Sequence, residues 1–135
     1  MSEIDHLGIA VKSLAEAKKF YRNLGLSPME DETVEAEKVR LSMVPVGESR
    51  IELLEPLSED SPIAKFLAKR GEGLHHVALN VEDLSATVER LKASGTRLIS
   101  DDIKVGAGGH LYVFVHPSSA GGVLLELVED APQGV

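Results

Sequence analysis

His6 and His76 stand seventy positions apart, and the chain runs through the same succession of local patterns after each. Around the first, Ile4–Val11 alternates so that Leu7, Ile9 and Val11 share one face and His6, Gly8 and Ala10 the other, which is the period of a strand. Ser13 with Glu16 three positions on forms a capping box; Leu14, Ala17, Tyr21 and Leu24 then recur at helical spacing, and Gly25 supplies a stop. Strand-like runs follow at 26–31, 38–44 and 49–55. After the second histidine come a strand over 76–81, Asp83 as a cap, Leu84, Val88 and Leu91 at helical spacing, and Gly95 as a stop. Strand-like runs recur at 96–100, 110–116 and 123–129. The offset that superimposes the histidines also places Val11 on Val81, Leu14 on Leu84 and Gly25 on Gly95. The pattern therefore predicts a βαβββ unit twice. A unit of about 60 residues has too little interior to be very stable alone, whereas two side by side can share one sheet surface and a cleft.

Between the halves, Ser61 as a cap, Pro62 at the first helical position, Ile63, Phe66 and Leu67, and then Gly71 predict a short connector helix. The expected division is a first module over 1–57, a connector over 58–73 and a second module over 74–135. The expected fold class is α+β: two tandem βαβββ modules forming a curved mixed sheet around a metal-containing cleft.

The metal expectation begins with what is missing. The 135 residues include no cysteine, which excludes a disulfide framework, thiolate metal sites and cysteine nucleophiles, so any ion must be held by His, Asp or Glu. With 14 basic against 22 acidic side chains the net charge is −8, which repels phosphate backbones and anionic lipid, and neither nucleic acid nor membrane is an expected partner. No apolar run approaches the roughly 18 residues of a membrane span, and a cytoplasmic location is expected.

Each half offers a histidine beside small or polar neighbours, His6 with Gly8 and Ala10, and His76 with Ala78 and Asn80. Each also offers a glutamate inside an apolar late strand, Glu52 and Glu126, separated by nearly the histidine offset. A lone strand histidine is most often a hydrogen-bonded structural residue. A carboxylate among leucines is different: buried without a partner it is costly, so it is protonated, paired or on a metal, unless its strand lies on an exposed edge. The duplicated placement suggests that His6, Glu52, His76 and Glu126 converge on one divalent ion. His75 is expected on the opposite face from His76. His110 and His116 share one parity with Tyr112 and Phe114, facing either cleft or solvent. The glycines of 106–109 precede no helix and read as a hairpin turn rather than a nucleotide loop. Lys65, Lys69 and Arg70 read as a solvated helix face.

The segments Ile4–Val11, Ile51–Leu57, Asp60–Leu67, Gly71–Ala78, Gly106–Gly109, Val115–Pro117 and Gly121–Leu127 together resemble the vicinal oxygen chelate superfamily, and within it the methylmalonyl-CoA epimerase family. The likeness covers nearly the whole chain, up to the tail at 131–135, and makes it one such domain overall. It implies metal ligands at His6, Glu52, His76 and Glu126, the set the repeat selects. It further implies an isomerase interconverting the (R) and (S) forms of methylmalonyl-CoA by proton transfer at C2 through a metal-stabilised enolate. The implied ion is divalent, Co²⁺ foremost in vitro, with Mn²⁺, Zn²⁺ or Ni²⁺ as alternatives. The family uses two carboxylates on opposite sides of the α-carbon. One matches Glu126; the strand position for the other falls at Arg40 or Leu41, and Glu37, or Glu35, just upstream is the substitute. Implied coenzyme A contacts are Lys65, Lys69, Lys104, Gly106, Gly108, Gly109 and His116, and the implied assembly is a homodimer. Two alternatives share the fold: a glyoxalase-I-like lactoylglutathione lyase, and a metal-free module that binds a small molecule such as a drug.

Overall fold

The computed structural model describes residues 2–106 and 109–131. The elements are β1 (Glu3–Ala10), α1 (Leu14–Asn23), β2 (Glu32–Val34), β3 (Val39–Val46), β4 (Ser49–Pro56), α2 (Pro62–Arg70), β5 (Gly73–Asn80), α3 (Leu84–Ala93), β6 (Lys104–Val105), β7 (Leu111–Val115) and β8 (Leu125–Glu129). The expected succession is therefore present twice. Short 3-10 turns lie at Glu35–Glu37 and Pro117–Ser119. The chain forms two compact units, one of His6–His75 and the other of the remaining residues, so α2 belongs with the first.

In the first unit β2 and β3, and β3 and β4, pair antiparallel, while β1 lies parallel to β4. The sheet is covered on both faces. Val11, Leu14, Val44 and Leu53 pack with Ala17 and Tyr21 of α1 on one side; Ala10, Val39, Leu41, Leu54 and Ile63 pack with Phe66 and Leu67 of α2 on the other. The face shared by His6, Gly8 and Ala10, expected to be the less apolar one, is thus a second core wherever α2 reaches it. Ser61 is fully buried and its hydroxyl accepts from the amides of Ile63 and Ala64 at 3.1 and 3.3 Å, the cap that starts α2.

The second unit repeats the pattern, with β6 and β7, and β7 and β8, antiparallel and β5 parallel to β8. Leu84 and Val88 of α3 pack on Val81, Val113, Val115 and Leu127.

Two expected strands are absent, and they are equivalent. Residues 26–31 and 96–100 run without forming a strand, and β2 and β6 come later, at Glu32–Val34 and Lys104–Val105. After the helix stops at Gly25 and Gly95, the contacts with the sheet are few. Met29 N–H donates to Met43 O at 2.8 Å in the first segment. In the second, Ile99 N–H donates to Phe114 O at 2.8 Å and Arg97 O accepts from His116 N–H at 2.9 Å, which makes an isolated antiparallel bridge of Leu98 with Val115. Pro28 removes a donor in the first segment. A sheet edge reached by so few bonds carries β-type sequence without an extended strand.

Candidate functional site

Parallel pairing sets the site in each unit. Gly8 stands opposite Glu52 and Ala78 opposite Glu126; because side chains alternate across a sheet, His6 and His76, two residues earlier, share those faces. On the far side of each glutamate, Met43 pairs with Glu52 and Phe114 with Glu126. The sheets thereby bring together two side-chain pairs. His6 Nε2 lies 3.6 Å from Glu52 Oε1, and His76 Nε2 lies 3.4 Å from Glu126 Oε1.

The residues are withdrawn from water: His6 is 6% exposed, His76 5% and Glu126 8%, so Glu126 does not sit on an exposed edge. No buried side-chain nitrogen or oxygen among the described residues lacks a hydrogen-bond partner. Ligand atoms each about 2.1 Å from a metal at about 90–110° stand roughly 3.0–3.4 Å apart; the His76–Glu126 separation falls within that range and the His6–Glu52 separation, at 3.6 Å, is slightly wider. Two neutral imidazoles and two carboxylates suit a borderline or hard divalent ion, so the donor chemistry fits a metal. Two ligands from one pair are few for a protein-held ion, since catalytic sites commonly use three or more.

In the second unit a row of rings extends the face. Phe114 meets His76 edge-on with centroids 6.1 Å apart, Tyr112 meets Phe114 at 6.0 Å, and His110 lies tilted on Tyr112 at 5.6 Å. Lys104 pairs in register with Tyr112, which puts its exposed side chain on that face. The hairpin reading of 106–109 holds at its ends: Gly106 N–H donates to His110 O at 2.8 Å. A Cβ on Gly106 would come within 2.3 Å of the His110 ring, so glycine there admits the imidazole. Gly108 lies outside the described residues.

Other candidates are placed elsewhere. His116 caps the turn at Pro117–Ser119, its Nδ1 accepting from Ser118 N–H at 3.0 Å. His75 meets the ring of Phe66 edge-on at 5.0 Å. Lys65 and Lys69 are exposed on α2. Leu41 is buried against Leu54 and Ala10 on the Glu52 face, and Arg40 lies on the other face, 3.8 Å from Glu55. Glu37 ends an exposed 3-10 turn ahead of β3. An open hollow of about 550 Å³ in the first unit is lined by Ile9, Val11, Leu53 and α1 residues including Phe20 and Tyr21, the side of the sheet away from Glu52.

Sequence reasoning overlooked a second pair of glutamates. Glu55 Oε2 accepts from Leu14 N–H at 2.6 Å and Glu129 Oε1 from Leu84 N–H at 2.8 Å. The signal was present: each late strand carries two glutamates three apart, Glu52 with Glu55 and Glu126 with Glu129, which alternation sends to opposite faces.

The chain belongs to the Glyoxalase/Bleomycin resistance protein/Dioxygenase superfamily, whose pattern it matches over residues 5–114. Among relatives, it is 42% identical over 135 residues to the uncharacterized protein YqjC of Bacillus subtilis (strain 168), covering 99% of this chain and 95% of that one. It is 40% identical over 129 residues to the mitochondrial methylmalonyl-CoA epimerase of Bos taurus, covering 94% and 74%. A solved structure of methylmalonyl-CoA epimerase in complex with methylmalonyl-CoA and NH4+ superimposes with a TM-score of 0.88 at 38% identity, covering 97% and 96%. That likeness makes the chain an epimerase, an enzyme of the isomerase class.

Proposed function

We propose that the chain is a divalent-metal-dependent epimerase that moves a proton at C2 of methylmalonyl-CoA. The observation that carries this reading is the duplicated His–Glu pair, with His6, His76 and Glu126 buried and Glu52 partly so, together with relatives whose names state that activity. His6, Glu52, His76 and Glu126 together hold one ion, each pair supplying half of the ligands.

The proton between a thioester and a carboxylate is weakly acidic, and the neighbouring negative charge opposes its removal. A divalent ion, when bound, supplies Lewis-acid stabilisation of charge developing on the thioester oxygen. Glu126 removes the C2 proton on one side and returns it; its burial next to His76 keeps water from competing for that proton. Epimerisation also needs an acid on the opposite side. Leu41 cannot serve, and Glu37 is the proposed second group, with Glu35 the neighbouring alternative. Coenzyme A is itself an anion approaching a chain of charge −8, so the exposed Lys65, Lys69 and Lys104 are its proposed contacts, with His116 and the glycines at 106, 108 and 109. The assembly is a homodimer in this reading, consistent with the exposed apolar Phe20 and Leu24 of the α1 region.

The test is incubation of one stereoisomer of methylmalonyl-CoA with Co²⁺- or Mn²⁺-loaded protein in deuterated water. Deuterium enters C2 and optical purity is lost; no exchange and retained purity refute the proposal. Glu126→Gln abolishes both, and a change at His75 is milder. Glu37→Gln stops interconversion while one stereoisomer still exchanges through Glu126; undiminished interconversion removes Glu37 from the site.

A further inference from the structure

The mechanism uses Glu52 and Glu126 but not their neighbours three residues on. Both neighbours make the same long-range bond: Glu55 to the first amide of α1 across 41 residues, and Glu129 to the first amide of α3 across 45. Each helix already has its own local cap. Ser13 Oγ accepts from Glu16 N–H at 3.2 Å and Asp83 Oδ1 from Ala86 N–H at 3.0 Å. The amides of Leu14 and Leu84 belong to residues 2% and 0% exposed, so they need an acceptor, and a carboxylate at a helix N-terminus is favourable. An acceptor from the end of a distant strand does more than cap. It joins the strand bearing the working glutamate to the helix that directly follows the histidine strand.

That joint falls where the parallel ladder ends. Val11 N–H donates to Leu54 O at 2.9 Å and Val81 N–H to Val128 O at 2.8 Å, and the side-chain bonds follow one residue later on each strand. A slip of one residue would turn Glu52 or Glu126 to the wrong face. A slip of two would keep the face and carry the carboxylate about 6.6 Å along the strand, out of reach of its histidine.

We propose that Glu55 and Glu129 are positioning residues that set the separations of His6 from Glu52 and of His76 from Glu126. This rests on the reading of those four residues as metal ligands. The duplication carries the argument, because two independent copies of the unit keep the same bond at the same place.

The experiment compares Glu55→Ala and Glu129→Ala with Ser13→Ala and Asp83→Ala, which remove the local caps from the same helices. Three quantities are read: Tm, Co²⁺ affinity, and the imidazole ring resonances of metal-free protein by NMR. All four variants lose thermal stability. Only the glutamate variants weaken Co²⁺ binding, by about tenfold or more, as supporting residues around metal sites do; Glu55→Ala shifts the His6 ring signals and Glu129→Ala those of His76. Gln at either position retains an acceptor oxygen and restores both readings. Where an alanine variant fails to fold, Glu→Asp, one methylene short of the amide, gives the same readings. Glutamate variants that lose stability alone, with parental ring signals and Co²⁺ affinity, overturn the proposal. If the parent protein binds no Co²⁺, the proposed function fails, and the ring signals alone decide the positioning role.

Discussion

Glu126→Gln separates a metal ligand from a buried structural acid, because its effect differs between the metal-free and metal-loaded protein. Glu126 is 8% exposed and its carboxylate lies 3.4 Å from His76 Nε2. Without metal, a neutral amide of the same shape keeps an oxygen beside His76, so Tm is little changed. With Co²⁺ at about 100 times the dissociation constant, binding stabilises the parent protein by about 2.7 kcal/mol. For 135 residues at roughly 2.1 cal/mol/K each, the unfolding entropy is about 0.28 kcal/mol/K, and the parent Tm rises by about 9–10 °C. Loss of a ligand weakens affinity at least as much as the roughly 100-fold that outer residues can cost. At the same Co²⁺ concentration the variant then gains only about 0.4 kcal/mol, or 1–2 °C. Thermal melts of chelator-stripped protein, with and without Co²⁺, measure both. A variant with the parental Co²⁺ gain refutes the assignment of Glu126 as a ligand, and a metal-free Tm lowered by many degrees shows instead that the carboxylate holds the fold.

Leu53 is fully buried between α1 and the sheet, and Leu53→Ala costs about 3 kcal/mol or more in urea denaturation while Co²⁺ affinity of the folded protein holds; a loss below about 1 kcal/mol contradicts that packing. Gly106→Ala forces the His110 ring away, since the added carbon would lie 2.3 Å from Cε1. The ring is the end of a half-buried side chain that can swing aside, so the expected loss of stability is small, under about 1 kcal/mol, with shifted His110 and Tyr112 ring signals by NMR, and unshifted signals count against the contact. The Lys38 ammonium and the Ser58 hydroxyl, both bonded to Asp60, lower its carboxyl from 3.8 to about 2. The folded value lies below the unfolded one, so this contribution to stability is present above pH 3.8 and is lost as pH falls through about 2. Carboxyl NMR titration shows an Asp60 midpoint near 2 that returns toward 3.8 in Lys38→Met; an ordinary midpoint in the parent removes the pair.

How much of this was legible beforehand depended on whether the signal was local. Helices α1, α2 and α3 were readable because Ser13, Ser61 and Asp83 act on amides two or three residues away. The segments at 26–31 and 96–100 form no strand because strand formation needs a partner along several residues: the first finds one backbone bond to Met43, and the second only an isolated bridge of Leu98 with Val115. The apolar character of the His6 face was missed for the same reason: Ala10 and Leu54 are covered by Ile63, which arrives from a helix more than fifty residues after β1.

The sequence by itself determined the duplication, the capped helices, a His/Glu donor set in a chain without cysteine, and the family resemblance, since all of these lie in residue type and spacing. Tertiary structure alone decided the pairing of Gly8 with Glu52 and Ala78 with Glu126, and hence which glutamate of each strand faces a histidine and which reaches back to a helix. The two glutamates of a strand are chemically identical and three positions apart. Only the register of a parallel partner, set by backbone bonds to residues more than forty positions distant, assigns one to the histidine face and the other to the opposite face, within reach of a helix amide.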